Sequence, residues 1–191
     1  MIEEVHLWKP LIWRFQYEFN CEALLPKIDG LRERIINPSN LEIGAAISTV
    51  GVDAKDRPHH WSELQHFNNF LKHKIAYVWD QYEFKTKTHS SIEQSWFNIH
   101  LNSGITLEHY HNNVLLIVVC YIQLPENSGY IQFRDPLEYH WGNTPIIPEE
   151  KTWKTLPCKT NDVLIFPGWI RHRVEESCSP EKRVVMTYNI V

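Results

Sequence analysis

Three imidazoles and one guanidinium stand out in this chain by where they fall. His109 and His111 lie one residue apart in LEHYHNNVLLIVVCYIQ, at the mouth of an apolar run. In a strand, residues i and i+2 point to one face with Cα atoms roughly 7 Å apart, so both imidazoles project together and Tyr110 projects the other way. Two neutral imidazoles converging on one point are good ligands for a first-row metal ion. A mononuclear site needs a further group. His172 in DVLIFPGWIRHRV is the candidate, because the run VLIF ends at Pro167–Gly168 and a second short segment starts beside it. A pair of this kind is by itself more often a surface pair than a site, and the chain has 11 histidines. His59, His60, His66, His73 and His89 lie in polar or helical surroundings and are expected on the surface. A carboxylate could also complete the ligand set in place of His111. Asp135 is one option, although its simpler role in RDP is to cap a turn. Glu108 is the other, but in a regular strand it faces away from His109.

Elements must position these groups from well-separated parts of the chain. Residues 10–20, PLIWRFQYEFN, alternate apolar and polar as a half-buried strand does. Leu24, Leu25, Ile28, Leu31, Ile35 and Ile36 then recur at helical spacing, with Asn37–Pro38 as the stop signal. Residues 48–60 are turn-rich and polar. A longer helix is predicted from about Trp61 to Trp79, with Leu64, Phe67, Phe70, Leu71, Ile75 and Val78 on one face. From Ser91 the texture changes to short apolar runs between turn signals, as in WFNIHL, ITLEHYH, VLLIVVCYIQL, YIQF, VLIF, IRHRVEE and RVVMTYNIV. Strands at this spacing suggest an antiparallel sandwich or barrel. The predicted architecture is α+β and mainly β, a single domain over residues 1–191. Within it, an N-terminal strand and helices (1–90) buttress a jelly-roll core (91–191).

Taken in order, W-x-N, a glycine, H-x-H at a strand entry, a Tyr-bearing strand, PENSG-x-IQF-x-DP, DVLIFPGW-x-x-H-x-V and RVVMTYN form a pattern. It resembles a family of 2-oxoglutarate-dependent Fe(II) oxygenases found in phages, cyanobacteria and other bacteria. The resemblance covers residues 94–191 and is loose before them; its most specific piece is FPGWIRHRV followed eleven residues after His172 by Arg183. It implies a double-stranded β-helix (a cupin-like jelly roll) and a hydroxylase that uses Fe(II), 2-oxoglutarate and O2 and releases succinate and CO2. His109 would be the first ligand and His172 the distal one. His111 stands where the wider superfamily usually carries Asp or Glu. Three neutral imidazoles leave the Fe(II) site at +2 rather than +1, a charge that dianionic 2-oxoglutarate would neutralise. Arg183 would bind the far carboxylate of the cosubstrate as a bidentate pair. The family often has a hydroxyl two residues after this Arg; here that residue is Val185, so Thr187 or Tyr121 must supply the contact. Asn98 resembles the Asn that other branches place near the C1 carboxylate. For Tyr121 the simpler role is core packing, and for Asn98 it is bonding to a strand edge.

Composition narrows the remaining classes. The 191 residues carry 19 basic and 23 acidic side chains, a formal net charge of −4, and no basic tract, so charge gives no support to a nucleic-acid role. The longest apolar run, Val114 to Cys120, is far too short for a membrane span, and the first residues lack a secretory pattern. Four cysteines without CxxC pairing fit a reducing cytoplasm, the host's if the chain is phage-encoded. A peptide side chain is the first substrate expectation, a small metabolite the second and a nucleobase the third. Residues 48–60 or 138–153 could form a lid, and a homodimer is left open. Trp96, Trp141, Trp153 and Trp169 are expected to pack the barrel, with Trp169 the one nearest the metal strand. Two other readings compete: a three-histidine cupin-type dioxygenase without 2-oxoglutarate, which would not need Arg183, and a non-catalytic jelly-roll binding module.

Overall fold

The computed structural model describes residues 12–35, 39–82, 91–136 and 152–191. Eleven strands and two helices are present among them. In chain order they are β1 (Trp13–Gln16), α1 (Cys21–Leu31), β2 (Glu42–Ile43), β3 (Ala46–Ser48), α2 (Gln65–Tyr82), β4 (Ile92–His100), β5 (Ile105–His109) and β6 (Leu116–Gln123). They continue with β7 (Ile131–Arg134), β8 (Trp153–Leu156), β9 (Asp162–Pro167), β10 (His172–Val174) and β11 (Arg183–Ile190). One sheet has the order β1-β9-β6-β11-β4-β3 and the other β2-β5-β10-β7-β8. Every pairing is antiparallel. Two facing antiparallel sheets with crossing connections form the jelly roll that the strand spacing predicted.

The larger sheet is buried on both faces, which is why β6, β9 and β11 read as unbroken apolar runs. Along β11 the alternation is strict. Val184, Met186, Tyr188 and Ile190 join a core made with α1 and α2, while Arg183, Val185, Thr187 and Asn189 face the other sheet. Residues directly opposite in paired strands share a face. His100, Asn98 and Trp96 of β4 and Tyr121 and Val119 of β6 therefore point inward with them. The apolar part of that inner space is filled by Ile117, Val119, Leu164, Phe166 and Phe133.

The helices sit where the periodicity placed them, with shifted ends. α1 starts at Asn20, whose side chain accepts from the Ala23 N–H, and buries Leu24, Ile28 and Leu31. It ends there, tightening into a 3-10 turn at Arg32–Arg34 with Ile35 extended; the stop signal Asn37–Pro38 lies outside the described residues. α2 follows a 3-10 turn at Ser62–Leu64 and buries Phe67, Leu71, Ile75 and Val78 against the sheet. Phe67 and Tyr17 meet edge to face at 4.8 Å, as do Trp13 and Tyr82 at 4.9 Å, geometries that aromatic pairs prefer. No described helix is long and apolar enough to cross a membrane.

The segment 48–60 is tied down. Its 3-10 turns are anchored where the His59 N–H and ring both reach the Ser95 hydroxyl, at 2.9 and 2.7 Å. The Trp61 indole closes the segment on the Asp56 carbonyl. These contacts hold the end of the segment against β4. Most of the other lid candidate, residues 138–151, lies outside the described residues, as do Trp141 and His89. Because Leu71 is fully buried between α2 and the sheet, Leu71→Ala is expected to lower the unfolding free energy by about 3 kcal/mol. Denaturant titration checks this; a loss below about 1 kcal/mol would mean that α2 does not pack on the sheet as described.

Candidate metal centre

β5, β10 and a turn bring His109, His172 and His111 together. His109 and His172 are register partners across β5 and β10. Between the pairs His172–His109 and Val174–Thr106, two residues of β5, Leu107 and Glu108, stand opposite one of β10, Arg173. This bulge turns both Thr106 and His109 inward and leaves Leu107 and Glu108 outside, a device that re-aims side chains at functional sites. β5 ends at His109, so His111 is not a strand residue. Its position comes instead from the turn after β9. The His111 N–H donates to the Gly168 carbonyl at 2.9 Å, and the Gly168 N–H donates to the Leu115 carbonyl at 3.1 Å. A Cβ on Gly168 would collide with the Val114 carbonyl oxygen, so only glycine permits this approach.

The ligand-capable nitrogens of the three histidines lie within 4.8 Å of one another. Their hydrogen bonds fix which nitrogen is free. The Nδ1–H of His109 donates to the Leu107 carbonyl at 2.8 Å and that of His172 to the Ile170 carbonyl at 2.9 Å. The Nδ1–H of His111 donates to Asn189 Oδ1 at 2.8 Å. Each Nε2 then keeps its lone pair, and that of His111 is buried without a partner. Burial, the leading cause, lowers the pKa of all three, with the neighbouring histidines adding to it for His111 and His172; His111 is brought to about 4. All three are neutral at pH 7, in the protonation state a metal ligand requires.

No carboxylate joins the cluster among the described residues. Glu108 lies outside, held by Arg134 at 2.8 Å and Arg171 at 3.1 Å, so the strand parity that turned it from His109 is borne out. Asp135 follows β7, its N–H bonded to the Thr152 carbonyl. Trp96 stacks on His111 with centroids 5.8 Å apart, and Phe166 packs edge-on to His172 at 5.1 Å. Trp169, expected in the barrel, is instead 54% exposed, and Trp153 lies against the Arg173 guanidinium.

A narrow cavity leads from the imidazoles past Asn98, Thr187 and Val185 to Arg183. Arg183 is 2% exposed, yet it has no carboxylate partner among the described residues and its Nε is unbonded. The Tyr121 ring lies 5.6 Å from its guanidinium carbon; the phenol is buried beside Arg183 and Cys158 and makes no well-formed hydrogen bond. Burial pushes the pKa of Arg183 down and that of Tyr121 well up. The Asn98 oxygen is buried and unpartnered as well. Two residues not singled out in the sequence belong here. Asn189 orients His111. His100 is fully buried opposite Arg183, bonded through Nε2 to Thr106 Oγ1 at 2.9 Å with its Nδ1 unpartnered. The signal for both was the two-residue alternation of β4 and β11.

The fold defined by these sheets is that of the 2-oxoglutarate–Fe(II) oxygenases. Solved structures align over 94% of this chain. They include an oxidoreductase of the 2OG-Fe(II) oxygenase family from Burkholderia pseudomallei (16% identity, 84% of that chain, TM-score 0.58). Two others are HygX from Streptomyces hygroscopicus with nickel and 2-oxoglutarate bound (11%, 81%, 0.61) and a prolyl-4-hydroxylase from Pseudomonas putida (9%, 91%, 0.60). At these identities the likeness is one of fold. The family described as "Putative 2OG-Fe(II) oxygenase" matches residues 94–189, half of the sequence, and the chain belongs to it. No curated protein matches the sequence.

Replacing Asn189 by Ala removes the acceptor that orients His111, and is expected to weaken metal binding 10- to 100-fold; a chelator competition titration reads this directly. Acid should also destabilise the metal-free protein. Burial lowers the pKa of His100 to about 3 and of His59 and His111 to about 4. The unfolded chain therefore binds more protons between pH 6.5 and 4, and stability falls as pH drops through that window. Thermal unfolding at pH 7, 5.5 and 4.5 should show a stepwise decline in Tm; a flat profile would mean these imidazoles are not buried neutral.

Proposed function

We propose that this oxygenase is an Fe(II)- and 2-oxoglutarate-dependent dioxygenase that hydroxylates a C–H bond of a peptide side chain or small organic molecule, releasing succinate and CO2. One observation carries the reading. Three imidazole lone pairs converge at one end of a cavity whose other end holds a buried arginine with no carboxylate partner among the described residues. Neutral imidazole lone pairs suit a cation and a buried guanidinium suits an anion, and a metal-chelated dicarboxylate supplies both. Bound Fe(II) and 2-oxoglutarate contribute the oxidising chemistry. The Nε2 atoms of His109, His111 and His172 hold the metal, and Arg183 takes the far carboxylate with the Tyr121 phenol beside it. The Thr187 hydroxyl, opposite Trp96 on the metal side of Val185, contacts the cosubstrate nearer the metal. Asn98, whose oxygen is unpartnered on the wall of the same cavity, is our candidate to bond to the near carboxylate.

Three neutral histidines also suit a cupin-type dioxygenase that needs no 2-oxoglutarate, but such an enzyme leaves the buried Arg183 unexplained. The outer pocket, about 220 Å³ and open to solvent beside His109 and His111, suits a side chain or a small molecule. The four cysteines are free thiols, in keeping with action in a reducing cytoplasm. We take residues 1–191 as one domain, because the α1–α2 layer shares its core with the larger sheet.

Anaerobic titration with Fe(II), with and without 2-oxoglutarate, tests the reading through the weak visible band of the chelate. The band is expected in the wild type and absent in His172→Ala. In Arg183→Ala the affinity for 2-oxoglutarate should fall about 100-fold or more, as for a buried charge pair losing one partner. Iron binding without a band would favour the cupin-type chemistry, and no metal binding would leave a jelly-roll binding module.

A further inference from the structure

The described residues that line the outer pocket include one acidic side chain and no lysine or arginine. That acid is Glu42. β2 pairs with β5 so that Glu42 stands opposite Thr106, and Thr106 is turned inward onto His100. Directly opposed residues share a face, so Glu42 also points inward, on the side to which the bulge turns His109. Its Oε2 is buried and has no hydrogen-bond partner among the described residues. The rest of the polar wall is neutral, from Ser39, Gln94, Asn112 and Asn189.

An ionised carboxylate can only accept hydrogen bonds, and leaving one of its oxygens buried without a donor is costly. Burial holds the Glu42 carboxyl pKa above its usual value, outweighing the hydrogen bonds from the Ser39 side chain and from its own backbone N–H. A neutral donor would satisfy one lone pair and leave the charge uncompensated. An anionic substrate would meet repulsion. In the proposed complex the dianionic cosubstrate cancels the charge of a three-histidine Fe(II) site, so Glu42 sets the sign of the outer pocket.

Resting on the oxygenase reading above, the geometry points to a substrate that carries a cationic nitrogen, an ammonium or guanidinium group, and docks it on Glu42. Glu42 then determines specificity and fixes which carbon of the substrate lies toward the metal. It takes no part in holding the metal or the cosubstrate.

The test uses two isosteric probe pairs on the Zn(II)- and 2-oxoglutarate-loaded full chain, read by calorimetry or chemical-shift titration. Nα-acetyl-arginine methylamide is compared with Nα-acetyl-citrulline methylamide, and n-pentylammonium with n-pentanol. The cationic member of each pair is expected to bind about 10-fold tighter or better, a gap of roughly one electrostatic contact. The gap should vanish in Glu42→Gln and persist, reduced, in Glu42→Asp. Equal affinities within both pairs, no binding of either cation at millimolar concentration, or a gap that survives Glu42→Gln would each overturn the proposal. If Glu42→Gln fails to fold, by its melting profile, the wild-type and Glu42→Asp comparisons decide. Uptake of 2-oxoglutarate is scored separately: a chain that does not bind it refutes the oxygenase reading, while the cation preference is still measured on the metal-loaded protein.

Discussion

Three neutral imidazole lone pairs within 4.8 Å of one another make a site that a metal cation fits. Most of the local structure makes sense as the means of holding them there. Two backbone carbonyls and one amide oxygen accept the Nδ1 protons of His109, His172 and His111, so the tautomers are set by the fold before any ion arrives. Burial keeps all three rings neutral. The geometry is strained only in the sense that polar groups lack partners, and each buried unpaired group costs about 1–3 kcal/mol. His111 Nε2, Asn98 Oδ1 and Arg183 Nε share this condition around one cavity, and Tyr121 Oη shares it beside Arg183.

The rigidity behind the site comes from β11. One face of that strand carries Arg183, Thr187 and Asn189 into the cavity; the other carries Val184, Met186, Tyr188 and Ile190 into the core under α1 and α2. The Tyr188 hydroxyl donates to Asn68 of α2, and the Asn68 amide reaches the His59 carbonyl. The helices therefore fix the strand that fixes His111. Their role is support, and the chemistry-bearing groups lie on the far side of the sheet.

The sequence was legible wherever a short-range rule sufficed. Period-two alternation put Arg183 and Thr187 on one face and turned Glu108 away from His109. Helical spacing found the buried stripe of α2. Where packing between distant strands decides, local rules fell short. The convergence of His109 and His111 follows from the close approach of Gly168, not from a shared strand face, since the strand ends at His109. The bulge that turns Thr106 and His109 inward depends on how many residues β10 sets opposite β5, and nothing near His109 encodes that count. His59 looked like a surface residue and is a half-buried anchor on Ser95, because its burial depends on β4 lying 36 residues further along the chain. Asn189 and His100 were visible as alternating positions, but their roles need the register of β11 and β4.

The most direct measurement is an anaerobic crystal structure of the full chain with Mn(II) and 2-oxoglutarate. The account predicts one ion bound by Nε2 of His109, His111 and His172, with one carboxylate of 2-oxoglutarate on the metal and the other paired with Arg183. An ion ligated by Asp135 or Glu108, or a cosubstrate whose far carboxylate does not reach Arg183, would contradict it.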